Sequence, residues 1–116
     1  HTYIMHAYIP DETLVCVAGR DRAVRVYGVE DGALKQVLRG FEKEVVACAF
    51  SPDGLRIAAA GLDRVVRIFS AADGSLLSFG EGHRKAVLAL AWSDDSLQLV
   101  TASEDKTLRI WLTPPP

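Results

Sequence analysis

At 116 residues with a net charge of −2, the chain has room for one domain and no general attraction to nucleic acid or membrane. No apolar run approaches the ~20 residues of a membrane span, and the opening residues lack the charged-then-apolar order of a secretory signal. Cys16 and Cys48 lie in apolar runs without CxxC spacing, so they read as buried thiols of an intracellular protein, cytoplasmic or nuclear, with a disulfide or a metal site as the alternative. The chain does not open on Met, which points to a start further upstream or to processing.

Tyr3 to Tyr8 reads as a short apolar strand. Moved along by 42 residues it becomes Val45 to Phe50, and moved again Val87 to Trp92. All three are apolar runs that include small residues, the pattern of strands buried on both faces. A turn follows each. Ser51-Pro52-Asp53-Gly54 is the clearest, and Pro10-Asp11-Glu12 and Ser93-Asp94-Asp95-Ser96 hold the equivalent places. Second strands are expected at Leu14 to Ala18, Arg56 to Ala60 and Gln98 to Ala102.

Next comes the stretch that repeats most strictly. Its copies begin at Gly19, Gly61 and Ser103 and end on Tyr27, Phe69 and Trp111. Their aspartates, Asp21, Asp63 and Asp105, are 42 apart (63−21 and 105−63). Each copy opens as a tight hairpin and closes with period-2 alternation, as in Val66-Arg67-Ile68-Phe69. Fourth strands follow twice, after Asp31-Gly32 and Asp73-Gly74, because Asp-Gly between strand-like runs is a hairpin signal. They look more polar, as outer edges should. After Leu112-Thr113 the three prolines stop any sheet.

A period of 42 with four short strands per unit lies inside the ~40–45-residue window of the WD repeat. On these residues the sequence resembles a WD-repeat β-propeller over essentially its whole length. The resemblance implies an all-β fold of three blades with 4+4+3 antiparallel strands, at approximately 1–38, 39–80 and 81–113, followed by a proline tail at 114–116. It also implies a structural network in the third repeat. Gly82-His83 matches the family's Gly-His pair, Thr101 its strand hydroxyl, Asp105 its turn aspartate and Trp111 its tryptophan. The middle repeat has Phe41, Ala59 and Phe69 at the last three of the corresponding non-aspartate places and keeps only Asp63. The first has Val17 and Tyr27 and keeps only Asp21. One complete network is therefore expected, with Asp21 and Asp63 held mainly by their own turns.

Closing a ring takes roughly four to eight blades, so three leave it incomplete. The three-stranded last blade and the proline tail make the chain look like the C-terminal part of a larger propeller. The runner-up is a two-fold dimer of three-blade halves.

No residue is expected to be catalytic or to hold a metal or cofactor. His83 reads as structural, His6 as a core or channel residue, and the three repeat aspartates sit one per blade rather than in one acid/base site. Gly80 to Lys85 matches neither phosphate-binding glycine pattern, and G-x-S-x-G and EF-hand spacings are absent. The candidate partner surface is the rim shared, in the family, by the hairpins and the loops between blades. It would show Arg20, Arg22, Arg64 and Lys106 from hairpins and Lys43, Arg84 and Lys85 from loops, interleaved with Glu42, Glu44, Glu81 and Glu104, which reads as a solvated mixed-charge surface or else as a site for an acidic peptide or a phosphate-bearing partner. Arg25, Arg67 and Arg109 recur with the fold and are assigned to blade packing. The leading expectation is a non-enzymatic interaction scaffold within a multi-protein complex, its partners other proteins plus the remaining blades or a second copy. Alternatives are an RNA- or ribonucleoprotein-associated subunit binding through the mildly basic rim, and part of a propeller enzyme whose catalytic residues lie outside this chain.

Overall fold

The computed structural model describes residues 3–9 and 12–113, with side chains from residue 14 onward. Among these residues there are eleven strands and no helix. β1 (Tyr3–Ile9), β2 (Glu12–Ala18), β3 (Val24–Gly28) and β4 (Leu34–Leu38) form one antiparallel sheet in chain order. β5 (Val45–Phe50), β6 (Arg56–Gly61), β7 (Val66–Ser70) and β8 (Leu76–Gly80) form the second. β9 (Val87–Trp92), β10 (Gln98–Ser103) and β11 (Leu108–Leu112) form a three-stranded third sheet. The expected Pro10-Asp11 portion of the first turn, His1, the side chain of His6 and the tail at 114–116 lie outside the described residues. Glu12, expected in that turn, already belongs to β2.

The sheets stack face to face, and period-2 alternation decides which residue enters which interface. Ile57, Ala59 and Phe69 point back toward the first sheet, where they join Cys16, Val24, Val26 and Leu38. Ala58, Ala60, Val66 and Ile68 point forward and meet Val87, Leu90 and Leu99. Every residue of β6 is buried, because this strand has a sheet on each side. Its small side chains permit a close approach. A Cβ added to Gly61 would stand 2.2 Å from the Glu44 carbonyl oxygen, so only glycine fits there.

Polar bridges also cross the second interface. The Trp92 indole N–H donates to the Ala49 carbonyl at 3.1 Å, and the Arg56 guanidinium lies over the Trp92 ring and donates to the Ser96 carbonyl at 3.2 Å. Ser96 adopts φ 63° at the place where the second sheet has Gly54 at φ 76°, so the turn keeps its left-handed residue even where the glycine is gone.

Two expectations about burial need correction. The inner strand β9 is not buried on both faces: Leu88 is 48% exposed and Ala89 and Ala91 face solvent, since no further sheet among the described residues covers that side. The outer strand β8 is not a polar edge either, because Leu76, Leu77 and Phe79 are all about half exposed or more.

Candidate functional site

The third sheet builds its polar network from three directions. The loop before β9 supplies His83, β10 supplies Thr101, and the hairpin into β11 supplies Asp105 and then Trp111. His83 Nε2 lies 2.7 Å from Thr101 Oγ1, and His83 Nδ1 lies 3.3 Å from Asp105 Oδ2. The Trp111 indole N–H donates to Thr101 Oγ1 at 2.8 Å. Thr101 is fully buried and the His83 side chain is 0% exposed, so each group depends on the others for its hydrogen bonds. One proton arrangement leaves none idle. Thr101 accepts from Trp111 and donates to Nε2, which makes Nδ1–H the donor to Asp105 and His83 a neutral imidazole.

Asp105 has further partners. The Arg84 backbone N–H donates to Oδ2 at 2.9 Å, the Thr107 N–H donates to Oδ1 at 2.9 Å, and the Thr107 hydroxyl also donates to Oδ1. The Thr107 hydroxyl first and the Arg84 amide second hold the carboxyl well below the usual carboxylate range. Asp105 therefore pins the hairpin to the loop between blades and stays ionised.

The same place in the second sheet works differently, and the expectation that Asp63 is held mainly by its own turn is corrected. Its Oδ1 does accept from the Val65 amide in the turn at 3.1 Å. Its Oδ2 accepts from the Glu42 amide at 3.1 Å and from the Arg67 guanidinium at 2.7 Å. Arg67 in turn lies 5.1 Å over the Phe41 ring. Phe41 occupies the volume of the missing imidazole, and the guanidinium stacked on it supplies the missing donor. The Asp63 and Arg67 side chains are 3% and 11% exposed, so this is a buried ion pair.

Asp21 repeats the arrangement in the first sheet without the burial. Arg25 grips it with two nitrogens, at 3.1 Å and 2.6 Å, and this bond lowers the Asp21 pKa. Arg25 and Arg67 are thus partners of the repeat aspartates, a role that sequence reasoning missed. The signal was present as the constant Asp-x-x-x-Arg spacing in the strictest part of the repeat. Arg109 instead lies against Gly82, where an added Cβ would meet the guanidinium carbon at 2.8 Å.

The rim residues share one end of the sheets. Arg20 pairs with Glu44 at 3.5 Å and so links the first hairpin to the loop entering the second sheet. Arg64 donates to the Arg84 carbonyl at 3.2 Å and makes the corresponding link to the third. Arg22, Lys43, Arg84, Lys85 and Lys106 are exposed there. A cleft of about 220 Å³ opens between Asp63, Arg64 and Val65 on one side and Glu81, Gly82 and His83 on the other. Its carboxylate Asp63 and its imidazole are already bonded inside the blades, so the charged groups it offers a ligand are the exposed Glu81 carboxylate and the Arg64 guanidinium, one nitrogen of which donates to the Arg84 carbonyl.

Cys16 and Cys48 are both fully buried, on opposite sides of the first interface. A hydrogen bond to Cys16, aided by burial, pushes the Cys48 thiol far up, so it is no nucleophile. Among the described residues no three His, Cys, Asp or Glu side chains converge as a metal site.

The family model described as "WD domain, G-beta repeat" matches residues 32–70 and 74–111, about two-thirds of the chain. Each match begins near the fourth strand of one sheet and ends near the third strand of the next, so the repeat in sequence straddles two sheets in space. No curated protein matches the chain.

Proposed function

The chain belongs to the WD-domain, G-beta repeat family, and on that premise we propose that it is a non-catalytic platform that presents its hairpin rim to protein partners. Repeats of this family generally mediate protein–protein interaction. The observation that carries the reading is where the ionisable groups are used. His83, Asp21, Asp63 and Asp105 are taken up by bonds inside the blades, whereas the cations of the hairpins and loops face solvent on turns pinned by those same aspartates. A rigid rim with its variable side chains outward suits recognition, and the internal bonds commit His83 and the three repeat aspartates to holding the blades together. The reduced, buried thiols support an intracellular setting, cytoplasmic or nuclear.

We propose further that another blade of the same kind packs against the third sheet. Val24 and Val26 are 0% and 2% exposed beneath the second sheet, and Val66 and Ile68 are 2% and 5% exposed beneath the third. The equivalent residues 42 positions on, Leu108 and Ile110, are 71% and 66% exposed, and Leu112 beside them is 79% exposed. The same strand face that two blades bury is bare in the last one, which suits a neighbour of the same shape. A two-fold dimer and continuation in one polypeptide both supply such a blade.

Affinity capture with the wild-type chain and with Arg20→Glu/Arg64→Glu/Arg84→Glu tests the platform. Loss of specific partners in the variant is expected. If every partner is retained, the rim is not the face used.

A further inference from the structure

The net charge of −2 hides a segregation. Antiparallel pairing sends the ends of β2, β4, β6, β8 and β10 and the starts of β3, β5, β7, β9 and β11 to one rim, the hairpin rim. Among residues 14–113, that rim and the strand halves next to it carry eleven Lys and Arg against seven Asp and Glu. The opposite rim carries two, Lys35 and Arg56, against six carboxylates in the turns between β3 and β4, β5 and β6, β7 and β8, and β9 and β10. Four surplus positive charges thus face four surplus negative charges across the height of the sheets.

The hairpin surplus is also the accessible part. Of the seven carboxylates there, Asp21 is taken by Arg25, Asp63 by Arg67, Glu44 by Arg20, and Asp105 by amides and a hydroxyl. Arg22, Arg64 and Lys106, one per blade and 42 positions apart, are exposed. All three hold a left-handed backbone, with φ 68°, 66° and 68°. Glycine serves such a place at lower cost, so each blade places a long cation where the turn itself asks for none.

We propose that the hairpin rim binds an extended Asp/Glu-rich segment of a partner protein, laid from blade to blade over Arg22, Arg64 and Lys106. This deepens the platform reading and rests on it. Nucleic acid suits the rim less well. Glu42, Glu81 and Glu104 are interleaved with the cations and repel a continuous phosphate backbone. Single-strand binding also calls for a row of exposed aromatic rings, whereas Phe41 in these loops is only 7% exposed beneath Arg67 and Phe79, 64% exposed near the rim end of β8, stands on the outer strand of the second sheet alone. A carboxylate-bearing peptide can place its charges between those of the rim.

The test uses the 116-residue chain and fluorescence anisotropy with three labelled probes: a Glu/Asp-rich peptide, its Gln/Asn counterpart and an oligouridylate. The variant is Arg22→Gly/Arg64→Gly/Lys106→Gly, which removes the charges while relieving the left-handed backbone. Its urea midpoint should equal or exceed that of the wild type, so weak binding cannot be ascribed to unfolding. The acidic peptide is expected to bind, its neutral counterpart not to, and the triple variant to bind about tenfold more weakly, the sum of three exposed charge contacts. Asp73→Lys on the opposite rim should leave binding unchanged. Equal binding of the two peptides, or undiminished binding by the triple variant, overturns the inference. So does tighter binding of the oligouridylate with a steep salt dependence, which would make the rim a nucleic-acid surface. If the triple variant still captures the wild type's partners, the platform stands and this inference alone fails. If neither version captures a partner, the platform reading fails.

Discussion

Thr101→Val removes one hydroxyl and keeps the side chain's shape. Two groups lose a partner: the half-buried Trp111 indole N–H at 2.8 Å and the buried His83 Nε2 at 2.7 Å. A buried polar group left unsatisfied costs about 1–3 kcal/mol. The His83 side chain is 0% exposed, so no water replaces the lost bond and its share lies at the upper end. Trp111 is only partly buried and recovers some hydration, so its share lies at the lower end. The expected loss is about 4 kcal/mol, about 3 from His83 and about 1 from Trp111. The second sheet supplies an internal control. With Ala59, Phe41 and Phe69 at these places it has no such network, and it folds on an Asp63–Arg67 pair instead. Removing all partners together is far less costly than removing one. His83→Phe/Thr101→Val/Trp111→Phe should therefore recover most of the loss suffered by Thr101→Val alone. Urea unfolding followed by circular dichroism measures both. The chain has two tryptophans, so its indole N–H spectrum reads the site directly. In Thr101→Val the Trp111 resonance should move and exchange faster, while Trp92, bonded to the Ala49 carbonyl, stays put. A cost under about 0.5 kcal/mol with an unmoved Trp111 resonance would refute the network as drawn, since that is the ordinary scatter of a substitution away from any special feature.

Arg67→Met should cost about 3 kcal/mol by depriving a buried carboxylate of its cation, while Arg25→Met, at an exposed pair, should lower the urea midpoint far less; equal effects would contradict the burial difference. Gly61→Ala should cost about 1–3 kcal/mol through overpacking against the Glu44 backbone, read as a lower melting temperature; an unchanged melting temperature would mean that the sheets do not approach so closely. Acid should unfold the chain. Folded-state pKa values of Asp21, Asp31, Asp73, Asp95 and Asp105 are all depressed, so their stabilisation is fully present above the unfolded value of ~4 and drains away as pH falls toward the folded values. Denaturation midpoints that hold between neutral pH and about 5 and fall below about 4 are expected, with Asp105→Asn less acid-sensitive than wild type; a midpoint that rises on acidification would reverse the sign and defeat the linkage.

The strands were legible because alternation, Asp-Gly turns and the 42-residue period all pointed the same way. Boundaries such as Val45–Phe50 and Val87–Trp92 follow directly from them. What stayed hidden depends on which neighbour fills a volume. Phe41 reads as the loss of an imidazole until its ring is seen supporting Arg67 over Asp63. Leu88 and Ile110 read as core residues because their type is apolar, and only the stacking order reveals that no sheet among the described residues packs over them. The left-handed cations escaped notice because turn chemistry leads one to expect glycine, which Gly54 supplies and Arg22, Arg64 and Lys106 do not. The mildly basic hairpin rim was legible from the repeat, but its acidic counterpart came into view only when antiparallel pairing sorted the remaining turns onto the opposite rim.

The bare face of β11 is where the account is most exposed to test. Light scattering should be run over a range of concentrations on the wild-type chain and on Ile110→Lys, whose new charge lies on that face. The account predicts wild-type association to a mass above 12.6 kDa, abolished in Ile110→Lys. A wild-type chain that stays at 12.6 kDa throughout and unfolds cooperatively in urea would contradict it, because the third sheet would then need no neighbour.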